Sequence, residues 1–434
     1  MAANARPNII YIIVHDIGQH IGCYGAGVDT PNLDRLAGDG VRFNNYFCTA
    51  AQCSPSRASI MTGRYPHQNG EMGLAHIGWE FHFGEKTLPM YMNEAGYETH
   101  LFGHQHEHSD ASKLGYQHLH SPEQSQARVV GAELIEFLRE HAANPGDKPL
   151  HICAGFGEPH RPYHREGYPM DDPQTVQIQP WLPDRPGIRE DTAGLNGLIR
   201  VVDEVVGEVR AALQQTGLEE NTLFIFTTDH GTAMPRAKGT CYDPGIATAL
   251  IMHQPGAIEG GRQYDELLIN CDFMPTLLEM VGGPEADSIA GRSFYPLLTG
   301  GQYQPHHHIF TEMTWHDRYN PMRSVRTEKY KYIRNFGDRP LVFMPLDIWN
   351  GKAGQEMAWE YYTPRRPEHQ LYDLEKDPLE MNDVAEDPEY VDVLAELSGM
   401  VQRWMEDTDD PLLLGDVPPT PQQAHRARTT WQTN

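Results

Sequence analysis

The chain has 434 residues, 39% of them hydrophobic and 22% charged, the proportions of a globular protein with one large core and room for a smaller second unit. A formal net charge of −26 argues against nucleic acid or an anionic membrane surface as a partner. No run approaches the ~18–20 continuous apolar residues of a membrane span.

An anionic substrate would therefore have to be drawn by a local cluster of Arg, Lys, His or metal rather than by the overall field. Met1–Pro7 leads straight into an apolar run and lacks the basic, hydrophobic and cleavage regions of a secretory leader, so a cytoplasmic chain is expected. The six cysteines (Cys23, Cys48, Cys53, Cys153, Cys241 and Cys271) are too sparse for a disulfide framework and contain no CxxC pair for structural zinc.

In chain order, Asn8–Val14 is a β-branched run that reads as a strand buried on both faces, ending at His15-Asp16. Thr30–Ala37 reads as a capped helix with Pro31 at its first position. Thr87–Ala95 is a short helix, Thr99–Gly103 a short strand and Leu150–Phe156 another strand, followed by a loop at Glu158–Pro162. The Pro-rich segment Tyr163–Pro186 suits a rim over a site. Ile188–Gln215 has apolar residues at helical spacing and is the longest helix expected. Asn221–Thr228 repeats the first pattern, a buried strand that ends at Asp229-His230. Two strand ends, far apart in sequence, thus carry nearly the same polar pair, and ligands in α/β sheets gather beyond such ends.

After residue 298 the character changes. Gly300–Pro305 reads as a linker, Ser324–Thr327 and Lys329–Arg334 alternate like antiparallel strands, Leu371–Leu374 is a further strand, and Val391–Met405 a closing helix. The tail beyond Glu406 is expected to wrap a surface or to be mobile. A catalytic unit at 1–305 and a smaller C-terminal unit at 306–434 follow from this change.

The segment from Cys53 to Arg64, CSPSRASIMTGR, places a Cys in a turn before a helix-compatible stretch, with Arg57 one turn on. Free N–H groups at a helix start favour a nucleophile there. A lone Cys of this kind is more often a small buried thiol. Cys-x-Pro-Ser-Arg followed by Thr-Gly-Arg, however, resembles the signature of the sulfatases, in which the Cys is oxidised to formylglycine. Further segments resemble that family: Cys23-Tyr24-Gly25, Thr30–Asp34, Tyr65–Gly70, Thr228–Gly231 and Leu371–Leu374 with Asp377-Pro378. His67–Gly70, Pro159-His160-Arg161, Asp243-Pro244-Gly245 and Pro321-Met322-Arg323 look like its heparan N-sulfatase (sulfamidase) branch.

The resemblance implies an alkaline phosphatase-like α/β fold, with a large, mostly parallel central sheet flanked by helices and a smaller C-terminal antiparallel sheet with a helix. It implies a sulfatase that cleaves sulfate esters or N-sulfate (sulfamate) groups on a sulfated sugar. A hydrated formylglycine at position 53 would attack sulfur through one hydroxyl and expel sulfate by deprotonation of the other, re-forming the aldehyde. The partners implied are an anionic sulfated small molecule or glycan and a formylglycine-generating or equivalent maturation enzyme, with a homo-oligomer left open. Arg57 would orient the nucleophile, His106 would act in elimination, and His160 and Lys238 would serve the leaving group.

Asp16, Asp229 and His230 match the family's metal ligands, and their hard donors suit Ca²⁺ first, then Mg²⁺. Two departures stand out. His15 replaces a carboxylate, which tilts the set toward Mn²⁺ or Zn²⁺ unless His15 only hydrogen-bonds behind the ligands. His104 replaces a lysine, so a fixed charge becomes one that titrates near neutrality, and activity should fall as it deprotonates. The run from His104 to His108 can also be read as a separate surface metal cluster. His76, His82, Trp79, Glu312, His316 and Arg323 are candidates for the substrate rim. Two rival readings are a phosphodiester or phosphonate monoester hydrolase on the same fold, which His15 keeps open, and a non-catalytic sulfoglycan-binding protein that lost turnover through His15 and His104.

Overall fold

In this computed structural model the described residues are 6–286 and 288–430, the side chains of 427–430 excepted; Met1–Ala5 of the expected leaderless start and the last four residues of the tail lie outside them. An eight-stranded sheet forms the centre. Its strands run across in the order His118–His120, Glu98–Gly103, Leu150–Phe156, Asn8–Val14, Thr222–Thr228, Leu250–His253, Val41–Phe43 and Arg262–Tyr264.

The first five are mutually parallel, and Leu250–His253 runs against both of its neighbours. Every residue of Asn8–Val14, Leu150–Phe156 and Thr222–Thr228 except Asn8, Thr222, Thr227 and Thr228 and His151 is apolar or glycine, and all are buried, as two-sided coverage by helices requires. The long helix Pro186–Thr216 and helix Ala127–Ala143 pack on one face, and helix Phe273–Val281 on the other.

Register decides where the chemistry can be. Val14 pairs with Phe156 on one side and Thr228 on the other, while Gly103 pairs with Gly155. Four parallel strands therefore end level, and the loops that follow them share one edge of the sheet. Gly155 is obligatory there, because a Cβ would lie 1.7 Å from the carbonyl oxygen of His104.

A second sheet, His308–Trp315, Tyr319–Thr327, Tyr330–Asn335 and His369–Asp373, is wholly antiparallel and is backed by helix Val391–Asp407. The architecture is the one expected from the sequence, a mostly parallel central sheet and a small antiparallel one. Its details differ in several places. Helix Pro31–Asp39 takes no cap from Thr30; Asp203 of the long helix accepts from the N–H groups of Asn32 and Leu33 at 3.1 and 2.8 Å. Thr30 instead hydrogen-bonds Gly22 and Asp34. Helices Ala127–Ala143, Phe273–Val281 and Lys352–Tyr362 and strands Val41–Phe43, His118–His120, Leu250–His253, Arg262–Tyr264 and His308–Trp315 lie outside the elements expected from the sequence; the start of the last is obscured by His306 and His307 just before it. Among the described residues no helix is long and apolar enough to cross a membrane.

Candidate active site

Cys53 opens helix Cys53–Thr62, after the extended residue Gln52, so its side chain stands at the positive end of the helix dipole. All ten residues of the helix are buried, which fixes its axis against the sheet. The Cys53 sulfur lies 3.3 Å from His230 Nε2 and 4.0 Å from Asp16 Oδ1. Asp16 follows the first strand in a left-handed conformation, φ 51°, costly for a residue with a Cβ and characteristic of functional strand ends. Its backbone N–H donates to Asp229 Oδ1 at 3.0 Å, so the two strand ends are tied directly to each other.

The two aspartates are fully buried among cations. Lys238 Nζ donates to both oxygens of Asp16 at 3.2 and 3.1 Å and to Asp347 at 2.8 Å. Arg57 Nε donates to Asp229 at 3.1 Å, and its Nη1 lies 3.7 Å from Glu107. His15 Nδ1 stands 3.1 Å from Asp229, and His160 Nε2 lies 4.0 Å from Asp16 and 3.9 Å from Asp347.

Burial alone would raise the Asp16 carboxyl, but Lys238 and His160 hold it far below the ordinary range; His230, His15 and Arg57 do the same for Asp229. Burial would raise the Cys53 thiol as well, yet Lys238, His230 and His15 pull it well below its usual value. Burial and Arg57 disfavour charge on His15, but Asp229 and Cys53 outweigh them and lift it to about 9, so an ion entering here displaces a proton from the ring.

The donor set fits a divalent cation. Side-chain atoms of His15, Asp16, Cys53 and Asp229 lie within 4.8 Å of one another. The Nε2 of His15 is buried without a hydrogen-bond partner, and its Nδ1 meets only the Asp229 carboxylate, in poor hydrogen-bond alignment. The Nδ1 of His230 is 2.8 Å from the Gly231 carbonyl, which can only accept, so Nδ1 carries a hydrogen and Nε2 is the atom turned toward Asp16 Oδ1 at 3.0 Å. Burial disfavours charge on this ring, but Asp229, Cys53 and Asp16 raise its pKa well above the ordinary value, so a cation bound here would take the place of the proton on Nε2.

A cleft of about 420 Å³ opens over this group, lined by Cys53, His15, His104, His106, His160, Lys238, His76 and His316. Twelve of the residues singled out from the sequence are therefore brought together around it: Cys53, Arg57, Asp16, Asp229, His230, His15, His104, His106, His160 and Lys238, with the rim candidates His76 and His316. His104 differs in charge from the expectation. Burial, with His15 and Arg57 beside it, holds its pKa well below the ordinary value, so it is neutral at neutral pH and meets an anion as a hydrogen-bond donor. The segment after it divides: His104 and His106 face the cleft, while Glu107 turns inward to Arg57.

Four rim candidates lie elsewhere. Arg323 is fully buried and paired with Asp410, because its guanidinium also satisfies the carbonyls of Met313 and Met322 inside the small sheet. Glu312 is buried on His67, whose N–H donates to it at 2.8 Å. His82 is exposed and outside the cleft. Trp79 is buried with its Nε1 donating to Gln423.

Sequence reasoning missed Asp347, Asp317, Arg426 and Glu107. Asp347 sits on the short helix Leu346–Trp349 and partners Lys238; Asp317 accepts from Arg426 at 3.0 Å, and all three of Asp347, Asp317 and Arg426 line the cleft. None belongs to a local motif, and only the acidic residue beside each basic one in space reveals them.

A family model described as Sulfatase matches residues 7–283, and one described as N-sulphoglucosamine sulphohydrolase, C-terminal, matches residues 236–347. The human protein named N-sulphoglucosamine sulphohydrolase is 28% identical over 94% of this chain and 91% of its own length. An ulvan-active sulfatase of Formosa agariphila is 27% identical over 92% of this chain and 75% of its own. Among solved structures, one in complex with its substrate D-glucosamine-2-N,6-O-disulfate aligns with a TM-score of 0.73 at 20% identity, covering 94% of this chain and 99% of that one. The phosphonate monoester hydrolase of Agrobacterium radiobacter aligns with a TM-score of 0.72 at 20% identity, over 93% and 96%. At such identities the solved structures speak for the shared fold, whereas the first family model spans well over half the sequence: the chain belongs to the sulfatase family of hydrolases.

Proposed function

We propose that the protein removes sulfate from a sulfated sugar, as an ester or an N-sulfate, using an aldehyde made from Cys53 and a divalent cation held by Asp16, Asp229, His230 and His15. The observation that carries this reading is the position of Cys53, at a helix start and within 4.0 Å of two groups from separate strand ends. Support for an N-sulfated glucosamine comes from the match of residues 236–347 to the sulphoglucosamine C-terminal model and from the human relative.

As formylglycine, residue 53 would supply a hydrated carbonyl as nucleophile; the cation would neutralise charge building on the sulfonyl oxygens. Ca²⁺ is the ion assigned first, from the two carboxylates, with Mg²⁺, Mn²⁺ or Zn²⁺ as alternatives because His15 and His230 add nitrogen donors. Arg57, braced by Asp229 and Glu107, holds the anion-binding end of the site rigid. Lys238 stays cationic between Asp16 and Asp347, and His160 beside them is placed to pass a proton to the leaving nitrogen or oxygen. His104 and His106, which line the same cleft, would donate hydrogen bonds to the anion.

The test is to express the chain with a formylglycine-generating enzyme and assay N- and O-sulfated glucosamines beside matched aryl sulfate and aryl phosphonate esters. Turnover of a sulfated glucosamine, lost in Cys53→Ala, is the expected result. A large preference for the phosphonate would replace this reading with the phosphonate hydrolase one. Tight sugar binding without turnover by aldehyde-bearing protein would replace it with the binding one.

A further inference from the structure

At the far edge of the main sheet, strands Glu98–Gly103 and His118–His120 pair in parallel with His100 opposite His118 and Phe102 opposite His120. Side chains alternate along a strand, so Glu98, His100 and Phe102 share one face with His118 and His120. The rings confirm the face: His100 stacks on His118 with centroids 4.5 Å apart, and Phe102 on His120 at 3.9 Å. We propose that Glu98, His100 and His118 form a binding site for Zn²⁺, separate from the catalytic cluster and clamping the edge strand to its neighbour.

Three observations carry this. One Glu98 oxygen lies 3.1 Å from His118 Nε2 and 3.4 Å from His100 Nε2, and the three ligand atoms lie within 4.8 Å of one another. With Zn–N and Zn–O bonds of about 2.0–2.1 Å, a tetrahedral site has ligand-to-ligand edges of about 3.3 Å, so two of the three edges are already in place.

Next, His100 is buried, and its Nε2 makes no hydrogen bond despite the nearby carboxylate. That carboxylate lies off the direction in which the nitrogen points, where a third atom shared by both would relieve the contact. Finally, the other nitrogen of His100 is 3.1 Å from His120 Nε2. A hydrogen bond donated from Nδ1 to His120 orients the ring and leaves Nε2 as the free ligand atom, the arrangement that accompanies most metal-bound histidines.

Two imidazoles and one carboxylate favour Zn²⁺ over the oxygen-seeking Ca²⁺ and Mg²⁺. The side chains of Glu98 and His118 are 33% and 48% exposed, which gives the ion a path in and leaves the fourth position to water. The site lies at the start of the strand whose other end carries His104, about five residues or roughly 16 Å from the cleft edge.

Equilibrium dialysis of the full chain against Zn²⁺, read by elemental analysis, tests the proposal on wild type and on Glu98→Gln/His118→Ala. Both substitutions fall on partly exposed side chains, and equal thermal midpoints of the two proteins in chelator show that the variant is folded. The expected result is one fewer Zn²⁺ bound per chain in the variant, with the catalytic cluster's capacity retained in both. Added Zn²⁺ should also raise the thermal midpoint of wild type more than that of the variant. Equal stoichiometry and equal Zn²⁺ response in the two proteins would overturn the site and leave an ordinary edge ion pair. If the two midpoints differ in chelator, His118→Ala alone is measured against Glu98→Gln alone, and the proposal stands only if each loses the same single equivalent.

Discussion

Glu71 is fully buried, and neither of its carboxyl oxygens has a hydrogen-bond partner. Burial, with Glu80 and Glu107 adding repulsion, holds its pKa well above the ordinary carboxylate value. The folded protein therefore keeps this proton after the unfolded chain has lost it. Stability tied to the neutral form is complete below about pH 4.5 and is lost as pH rises toward the folded pKa, by about 1.4 kcal/mol per pH unit. Glu71→Gln, permanently neutral, should match wild type in urea denaturation at pH 4.5 and exceed it increasingly at pH 6 and 7.5. A gain that does not change with pH would contradict the assignment. Arg57 presents the opposite case, a buried cation shared by Asp229 and Glu107. Arg57→Ala strands both carboxylates and should cost about 3–5 kcal/mol of stability as well as nearly all turnover. Urea midpoints and kcat measured on one preparation check both effects.

Among elements, helix Pro421–Thr430 does more for the cleft than its distance in sequence suggests. Gln423 is buried, accepts from Trp79 and donates to the Asp317 carbonyl at 3.1 Å. That anchor sets Arg426 at the mouth, donating to Asp317 and 3.1 Å from His76 Nε2. An arginine there should bind the charged part of the sugar beyond the bond that breaks. Arg426→Ala is predicted to raise KM by about tenfold, some 1.4 kcal/mol, with kcat nearly unchanged. A fall in kcat at constant KM would instead make Arg426 part of the chemistry. The sequence points to a tail that wraps a surface or is mobile, but a stretch rich in Pro, Thr and Gln has no periodicity from which to read which surface. The strands around Asp16 and Asp229 were legible for the contrary reason: seven-residue β-branched runs flanked by polar residues have few alternatives to a buried parallel strand.

For the whole molecule, the catalytic cluster joins parts of the chain that would otherwise be independent. Asp16 and Asp229 come from the ends of central-sheet strands, Lys238 from the loop after the second of them, and Asp347 from the connection between the third and fourth strands of the small sheet. A cation bound only in the folded state stabilises that whole arrangement, by about 2.7 kcal/mol at one hundred times its Kd. Calorimetry on Glu98→Gln/His118→Ala protein, which reads the catalytic cluster alone, should show a lower Tm after chelation and recovery on return of the ion. An unchanged Tm would mean that the aspartates are held by Lys238, Arg57 and the histidines without a metal.

The amino-acid sequence by itself determined the strands that carry Asp16 and Asp229, a helix-compatible stretch after Cys53 and the chemical kind of ligand each strand end offers, because all of these follow from neighbours within a few residues. Only the tertiary structure decided that Asp347 faces Lys238 across 109 positions, that Glu107 braces Arg57, that Arg426 reaches the mouth, and that Arg323 and Glu312 are buried away from it. The reason is physical: a charged side chain shows its type in the sequence, but whether it meets solvent, a ligand or a buried counter-charge depends on which distant segment packs against it.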